Sequence, residues 1–215
     1  MLDVLVGAAI GVLIGLFAWP RGGSGELHRA TGNFLAMAAQ VVRETVAVVA
    51  QGARPAGALP QARAAGQLAE ASYALYQSER HPPASVDWQA ALVAGHHAVR
   101  GAEALIRSCP TGGLLPCVAL LTASAADVAD RYERVAGGLR RRDRAAVTAR
   151  PAEPPPAEWP TNLGHNLYHL ADLSVWLDGL REDLGRIAGT PEPSPSGTSI
   201  ELGIRVARLA DGATS

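Results

Sequence analysis

An uninterrupted apolar run opens the chain. Residues 4–18 are all Val, Leu, Ile, Ala, Gly or Phe, and Asp3 is the single charge between residues 2 and 19. Eighteen residues rise about 27 Å as an α-helix, close to the roughly 30 Å of a bilayer core. The pattern predicts a transmembrane helix over residues 1–20. A secretory signal peptide and a buried soluble helix are the alternatives, although the basic start and the small-residue cleavage site of a signal peptide are missing.

The residues that flank this run indicate its orientation. Trp19 stands where aromatic residues meet the membrane interface, and Arg21 and Arg29 follow the run, whereas no arginine precedes it. Because basic residues favour the cytoplasmic side of a membrane, we expect the N-terminus outside and the C-terminal region in the cytoplasm. The predicted location is the plasma (inner) membrane, so membrane lipid is an expected partner.

Glycines repeat every four residues within the run, at Gly7, Gly11 and Gly15. Residues at this spacing share one helix face, and small residues there allow two membrane helices to approach closely. We therefore expect these glycines to pack against other transmembrane subunits or against copies of the same chain. The alternative is that glycine is simply common in membrane helices.

Apolar residues at steps of three and four continue after the helix-breaking stretch at 20–23. They predict four helices, with Ser24 as the N-cap of the first. The clearest seam runs from Val118 to Leu139, and Leu68 and Leu75 are expected on the buried stripe of the second helix together with Ala65 and Ser72. The four predicted helices span residues 24–51, 61–80, 85–106 and 118–139.

The predicted fold class is all-α, with one N-terminal transmembrane helix followed by an antiparallel cytoplasmic bundle of about five helices. Short connections between the helices favour antiparallel neighbours. The predicted segments are a transmembrane helix (1–20), a four-helix cytoplasmic region (21–150), a Pro-rich linker (151–160), a fifth helix (161–188), and a linker and tail (189–215).

Four arginines gather at the end of the fourth predicted helix: Arg140, Arg141, Arg142 and Arg144. If successive helices alternate in direction, this end returns to the membrane, where the arginines would contact anionic lipid headgroups. Each basic group near such a surface contributes about 1 kcal/mol. The alternative is a solvated helix C-terminus, where the helix dipole favours cations.

Composition and motifs exclude several classes of function. The chain has 19 basic residues, all of them arginine, and 20 acidic residues, so a net charge of −1 gives no general case for nucleic-acid binding. No nucleophile elbow, phosphate-binding loop or dinucleotide-binding motif is present. We therefore predict no enzyme activity, no catalytic residues and no cofactor. Cys109 and Cys117 are too few for a disulfide framework.

Histidines form the remaining candidate site. His165, His169 and Asp172 follow at steps of four and three, so they share one face of the fifth helix, and Trp176 continues that face. Two helical histidines at this spacing can bind zinc or copper, but no further ligand set is evident, so these three residues are weak candidates and no metal is predicted. A second packing face or a polar patch is the favoured interpretation.

The N-terminal features together resemble a known family. A helix with Asp3 and three glycines at four-residue spacing closes in Trp19-Pro20-Arg21 and runs into Glu26-Leu27-His28-Arg29-Ala30. This order resembles the last membrane helix and first cytoplasmic helix of the fusaric-acid-resistance or aromatic acid exporter family, over residues 1–150. In that family about six membrane helices precede a helical cytoplasmic region, and members are described as efflux transporters.

The resemblance implies an oligomeric inner-membrane protein that exports small organic or aromatic acids. One predicted span cannot enclose a substrate path, so the chain is expected to be a component or fragment of such a transporter, with the helical region as its cytoplasmic assembly domain. The alternative function is a single-span, membrane-anchored scaffold or protein-interaction module without transport activity.

Overall fold

Helices account for nearly all of the structure that can be described. The computed structural model describes residues 23–79, 86–108, 118–148 and 167–187, and these residues form six helices and no strands. The all-α prediction is therefore confirmed for these residues. The predicted transmembrane helix, the Pro-rich linker and the tail lie outside them. The helices are α1 (Gly23–Gln51), α2 (Ala58–Ser78), α3 (Trp88–Ser108), α4 (Val118–Arg141), α5 (Arg144–Thr148) and α6 (Leu167–Ile187).

The five long helices correspond to the five that the apolar spacing predicts. The remaining short helix, α5, was not predicted because a helix of five residues is too short to show a periodic stripe. The helix α1 begins at Gly23, so Ser24 lies in its first turn and is not the N-cap. On α4, the predicted seam is buried from Leu121 to Leu139, which confirms that stripe.

The helix α1 lies at the centre of the packing and contacts α2, α3 and α4. It is also the one described helix that is long and apolar enough to cross a membrane, with a mean hydropathy of 1.3 over its most apolar window. That window is 56 % buried against the rest of the protein. A core helix of an aqueous helical protein meets the same length and hydropathy criterion, and its side chains here pack on other helices.

Polar contacts show the relative direction of α1 and α4. Arg43 lies in the C-terminal half of α1 and donates to Asp130 and Glu133 of α4, at 2.6 Å each. Gln51, at the end of α1, donates to Thr122 near the start of α4. The two helices therefore run in opposite directions. The two carboxylates raise the pKa of Arg43, which keeps its guanidinium charged.

Glu44 of α1 holds the start of α2. Its carboxylate accepts hydrogen bonds from three successive backbone N–H groups, those of Ala56, Gly57 and Ala58, at 2.8 to 3.1 Å. The first N–H groups of a helix have no partner within the helix, and a negative charge there is favoured by the helix dipole. Glu44 satisfies these groups and so fixes the turn between α1 and α2.

Phe34 of α1 fills a gap between α2 and α3 that two glycines create. A Cβ atom added at Gly66 would lie 3.0 Å from the ring, and one at Gly95 would lie 2.3 Å from it. Phe34 is fully buried, and its ring centroid lies 5.0 Å from that of His96. The absence of side chains at both glycines thus lets α2 and α3 approach α1 around one aromatic ring.

The buried face of α2 differs from the predicted one. Leu68 and Leu75 are 54 % and 48 % exposed, whereas α2 packs on its neighbours through small side chains and one tyrosine. Small residues are buried here because they bring the α2 backbone close to Phe34 and α1. Ala65 is half-buried and Ser72 is buried, so the predicted stripe is correct at its edge and wrong at its leucines. The buried residues of α2 are Ala58, Ala62, Gly66, Ala69, Ser72 and Tyr76.

We expect Gly95→Ala to lower the free energy of unfolding by about 1–3 kcal/mol, because the new methyl group would overlap the Phe34 ring. Gly137→Ala is the matched control. Its methyl group would meet only the flexible end of Arg141, so the helix preference of alanine should raise stability by about 0.5–1 kcal/mol. Urea unfolding followed by circular dichroism measures both. Equal effects of the two variants would contradict the account of Phe34.

Candidate functional site

The predicted arginine cluster lies beside the beginning of α1. Arg140, Arg141, Arg142 and Arg144 are all exposed, and we call these four residues the basic end. A Cβ atom added at Gly25 would lie 2.7 Å from Nη2 of Arg142, and one at Gly32 would lie 2.7 Å from Cγ of Arg140. The packing therefore brings the basic end to the N-terminal part of α1, which follows the predicted transmembrane helix shortly afterwards in the sequence.

The backbone of the basic end forms a Schellman motif, a common way to end a helix. Arg142 has a φ of 57°, its N–H donates to the carbonyl of Leu139 at 3.1 Å, and the N–H of Asp143 donates to that of Gly138 at 2.8 Å. Asp143 then caps α5 by accepting from the N–H of Ala146. This reversal turns the chain and presents several arginines at one surface.

Positive charge predominates in this stretch of the chain. Residues 140–144 contain four arginines and one aspartate, so their net charge is +3. Nearby on α1, Arg29 pairs with Glu26 at 2.8 Å and adds no net charge. A concentrated positive charge of this kind attracts anionic partners such as phosphate-bearing headgroups.

A second candidate site joins α3 to α6 through His97 and Asp183. Nδ1 of His97 lies 2.6 Å from Oδ2 of Asp183, and the other carboxylate oxygen lies 3.3 Å from Arg186. The Asp183 side chain is only 9 % exposed, whereas that of His97 is 42 % exposed. Hydrogen bonding to Asp183 raises the pKa of His97 against the opposing effect of burial.

The surroundings of His97 are tightly packed on the α6 side. A Cβ atom added at Gly179 would lie 2.9 Å from Cε1 of His97, and Nε1 of Trp176 donates to the His97 carbonyl at 3.4 Å. Gly101 lies against the Trp176 ring, where an added Cβ would lie 2.1 Å away. Glycines on both helices therefore allow α3 and α6 to meet closely around the imidazole and the indole.

Tyr132 of α4 completes the buried side of this region. Its hydroxyl donates to the carbonyl of Ala94 at 2.8 Å, which links α4 to α3. Burial raises the pKa of Tyr132 well above its usual value, and the negative charge of Asp183 adds to this effect. Tyr132 therefore acts as a neutral hydrogen-bond donor in the interior.

The helix α6 is also held to α4 by an arginine. Arg181 donates from Nη2 to Oγ of Ser124 at 2.7 Å and lies 3.3 Å from Asp127, while Asp178 accepts from Nη1 at 2.6 Å. Its side chain is 18 % exposed, so these charges are partly shielded from water. The helix α6 is therefore fixed by polar contacts with two helices, through Arg181 to α4 and through Asp183 to α3.

Nε2 is the ring nitrogen of His97 that does not contact Asp183. When Asp183 accepts from Nδ1, the other ring nitrogen, Nε2, can accept or donate a proton. Among the described residues, no hydroxyl or thiol group hydrogen-bonds to this nitrogen. The described contact is a hydrogen bond between His97 and Asp183 that joins α3 to α6 and becomes an ion pair when His97 is protonated.

His96 and His97 are neighbours that face different helices. Nε2 of His96 lies 2.7 Å from Oε1 of Glu70 on α2, although this contact does not have hydrogen-bond geometry. The two histidines are adjacent in the sequence, but no pattern in the sequence indicates their partners. Asp183 is 86 residues away from His97 along the chain, and no local pattern connects them.

The predicted histidine site is only partly described. His165, like Gly7, Gly11 and Gly15, lies outside the described residues. His169 is half-buried and Asp172 is exposed, whereas Trp176 is buried and so does not continue a polar face. Among the described residues, no group of three or more His, Cys, Asp or Glu side chains could hold a metal ion.

Comparison of the chain with protein-family models, curated proteins and solved structures finds no significant match. The resemblance to the aromatic acid exporter family therefore stays a prediction from residues 1–150.

We expect His97→Ala to lower the free energy of unfolding at about pH 6 by about 1 kcal/mol, since buried Asp183 loses a partner and exposure of His97 weakens the pair. Asp183 raises the pKa of His97 in the folded protein. The stabilisation is therefore complete below the unfolded value near 6.5 and is lost as pH rises through the higher folded value.

Urea titrations at about pH 6 and pH 9 measure this effect. The difference between the wild type and His97→Ala should shrink at the higher pH. His96→Ala is the matched control, because it removes the adjacent imidazole and leaves Asp183 paired. A difference that is the same at both pH values would rule out a stabilising charge on His97.

Proposed function

We propose that the chain is a membrane-anchored helical module that serves protein assembly at the cytoplasmic face of the inner membrane. In this proposal residues 1–20 are the anchor, and the antiparallel helices that follow form the assembly domain. The observation that carries it is the position of the basic end beside Gly25, a few residues after the predicted anchor. Positive charge there suits a surface that faces anionic headgroups.

The packing of α1 is consistent with its being part of the assembly domain and not of the membrane anchor. Its apolar side chains are largely covered by α2, α3 and α4, so the protein itself buries them. The charged side chains in its C-terminal half, those of Arg43 and Glu44, have polar partners in the protein. Residues 4–18 have no charge and are the stronger candidate for a lipid-embedded segment.

Export of small organic or aromatic acids by a complex that contains this chain is a narrower proposal, and it rests on the family resemblance alone. In that case the chain would be a component or fragment of the transporter, and the Gly7, Gly11 and Gly15 face would pack against the remaining spans. The anchored module does not require that activity.

We expect the full chain to remain in the membrane pellet after alkaline carbonate extraction, since a spanning helix resists release. A chain without residues 2–22 should move to the soluble fraction, because the core formed by the described helices lies within residues 23–187. Release of the full chain by carbonate would contradict the anchor. Circular dichroism checks that the shortened chain remains helical.

The lipid contact is tested with the shortened chain and vesicles of phosphatidylglycerol. Changing all four arginines of the basic end to Gln should weaken binding by at least about tenfold, given about 1 kcal/mol for each basic group near the surface. Co-sedimentation measures this, and phosphatidylcholine vesicles should bind little of either protein.

A matched control removes the same charge elsewhere, by changing Arg54, Arg100, Arg107 and Arg134 to Gln, all of which are exposed. This control should bind anionic vesicles nearly as well as the unaltered shortened chain, apart from the loss of general attraction. Equal weakening by both sets would show that net charge, and not the basic end, determines binding.

A further inference from the structure

The exposed face of α2 has the pattern of a helix-pairing seam. Leu68 and Leu75 are 54 % and 48 % exposed, and the other seam residues are exposed as well. Successive members are three or four residues apart, which is the spacing of the a and d positions of a coiled coil. We call the whole set the α2 seam, and its members are Gln61, Ala64, Leu68, Ala71, Leu75 and Ser78.

No charged residue interrupts the α2 seam. The two charged residues between positions 61 and 78 are Arg63 and Glu70, and both face α3. Arg63 lies 2.6 Å from Glu103, and Glu70 lies 2.7 Å from His96. Two identical copies can therefore bring their seams together without like-charge repulsion, which would be a cost for most self-associating surfaces.

The order of large and small residues is self-complementary. If two copies of α2 run in opposite directions about a two-fold axis between positions 69 and 70, Leu68 meets Ala71 of the other copy and Leu75 meets its Ala64. Gln61 meets Ser78 at each end. Every layer thus pairs a larger side chain with a smaller one, which is how facing helices interdigitate without voids.

We propose that the α2 seam binds the α2 seam of a second copy of this chain, with the two helices antiparallel. The interface is isologous, as in most two-fold dimers, because the same residues contribute from both sides. It gives a role to two leucines that the described residues of a single copy leave exposed. The proposal does not depend on the membrane anchor or on lipid binding by the basic end.

The seam alone supports a modest affinity. It is about 26 Å long, as 18 helical residues imply, and a contact between two single helices is smaller than the roughly 800 Å² per partner of a typical stable interface. Tethering of both copies to one membrane would raise their effective concentration. Two copies in one membrane share an axis along the membrane normal, so this pairing sets α2 along the membrane plane.

Site-directed disulfide formation in the full, detergent-solubilised chain tests the pairing. In a Cys109→Ser, Cys117→Ser background, Ala64→Cys and Leu75→Cys proteins carry different tags and are mixed and oxidised. The mixture should give a cross-linked heterodimer. Each protein alone should not, because identical positions lie about 16 Å apart along antiparallel helices, beyond the 4.4–6.8 Å between the Cα atoms of a disulfide.

Substitution within the seam provides the second measurement. Leu68→Gln in both partners should lower the cross-linking yield by at least about tenfold, since each dimer buries two Leu68 side chains. Val93→Gln is the matched control, because Val93 is 49 % exposed on α3 and lies outside the seam. The control should leave the yield unchanged, and circular dichroism should show both variants folded.

Each other outcome overturns the proposal. Efficient cross-linking of Leu75→Cys with itself would show parallel pairing, and no cross-linking at any concentration would show that the seams do not meet. If removal of residues 188–215 is needed before the heterodimer forms, the tail of the same chain, and not a second copy, occupies the seam. A yield that Leu68→Gln leaves unchanged would indicate random collision.

Discussion

The helix α1 is covered by protein on three sides, and this burial determines how the other helices are placed. Its apolar side chains are stabilised by burial away from water. The helices that bury them approach closely because they present small residues to α1. Phe34 shows this most clearly, since its ring occupies the space left by Gly66 on α2 and Gly95 on α3. Once α2 and α3 are placed in this way, the leucines of α2 remain outside, and Arg43 sets the direction of α4.

Much of the fold could be predicted from periodicity, and the failures have a physical cause. The α4 seam was predicted because large apolar residues such as Val128 and Leu139 recur at steps of three and four. On α2 the same reasoning chose Leu68 and Leu75, although Ala and Gly are buried there, because close backbone approach, and not side-chain size, decides that contact. Hydrophobicity alone does not distinguish a seam within one copy from a seam between two.

The candidate sites were predictable to different degrees. The basic end is visible as a run of arginines, but its place beside Gly25 depends on the packing of α4 on α1. The pairing of His97 with Asp183 joins residues far apart in sequence. Asp183 lies between Leu180 and Leu184 on α6, and its carboxylate is buried with these leucines. Such buried pairs are set by tertiary contacts, so a sequence shows the residue types and not the partners.

In the proposed arrangement, α1 is covered by protein and a different segment enters the membrane. A nitroxide label at Gln40, an exposed position in the middle of α1, tests it most directly in the full chain reconstituted into lipid. We expect its relaxation to be enhanced strongly by a water-soluble nickel complex and weakly by oxygen. Strong enhancement by oxygen with little effect of nickel would place α1 in the hydrocarbon and contradict the account.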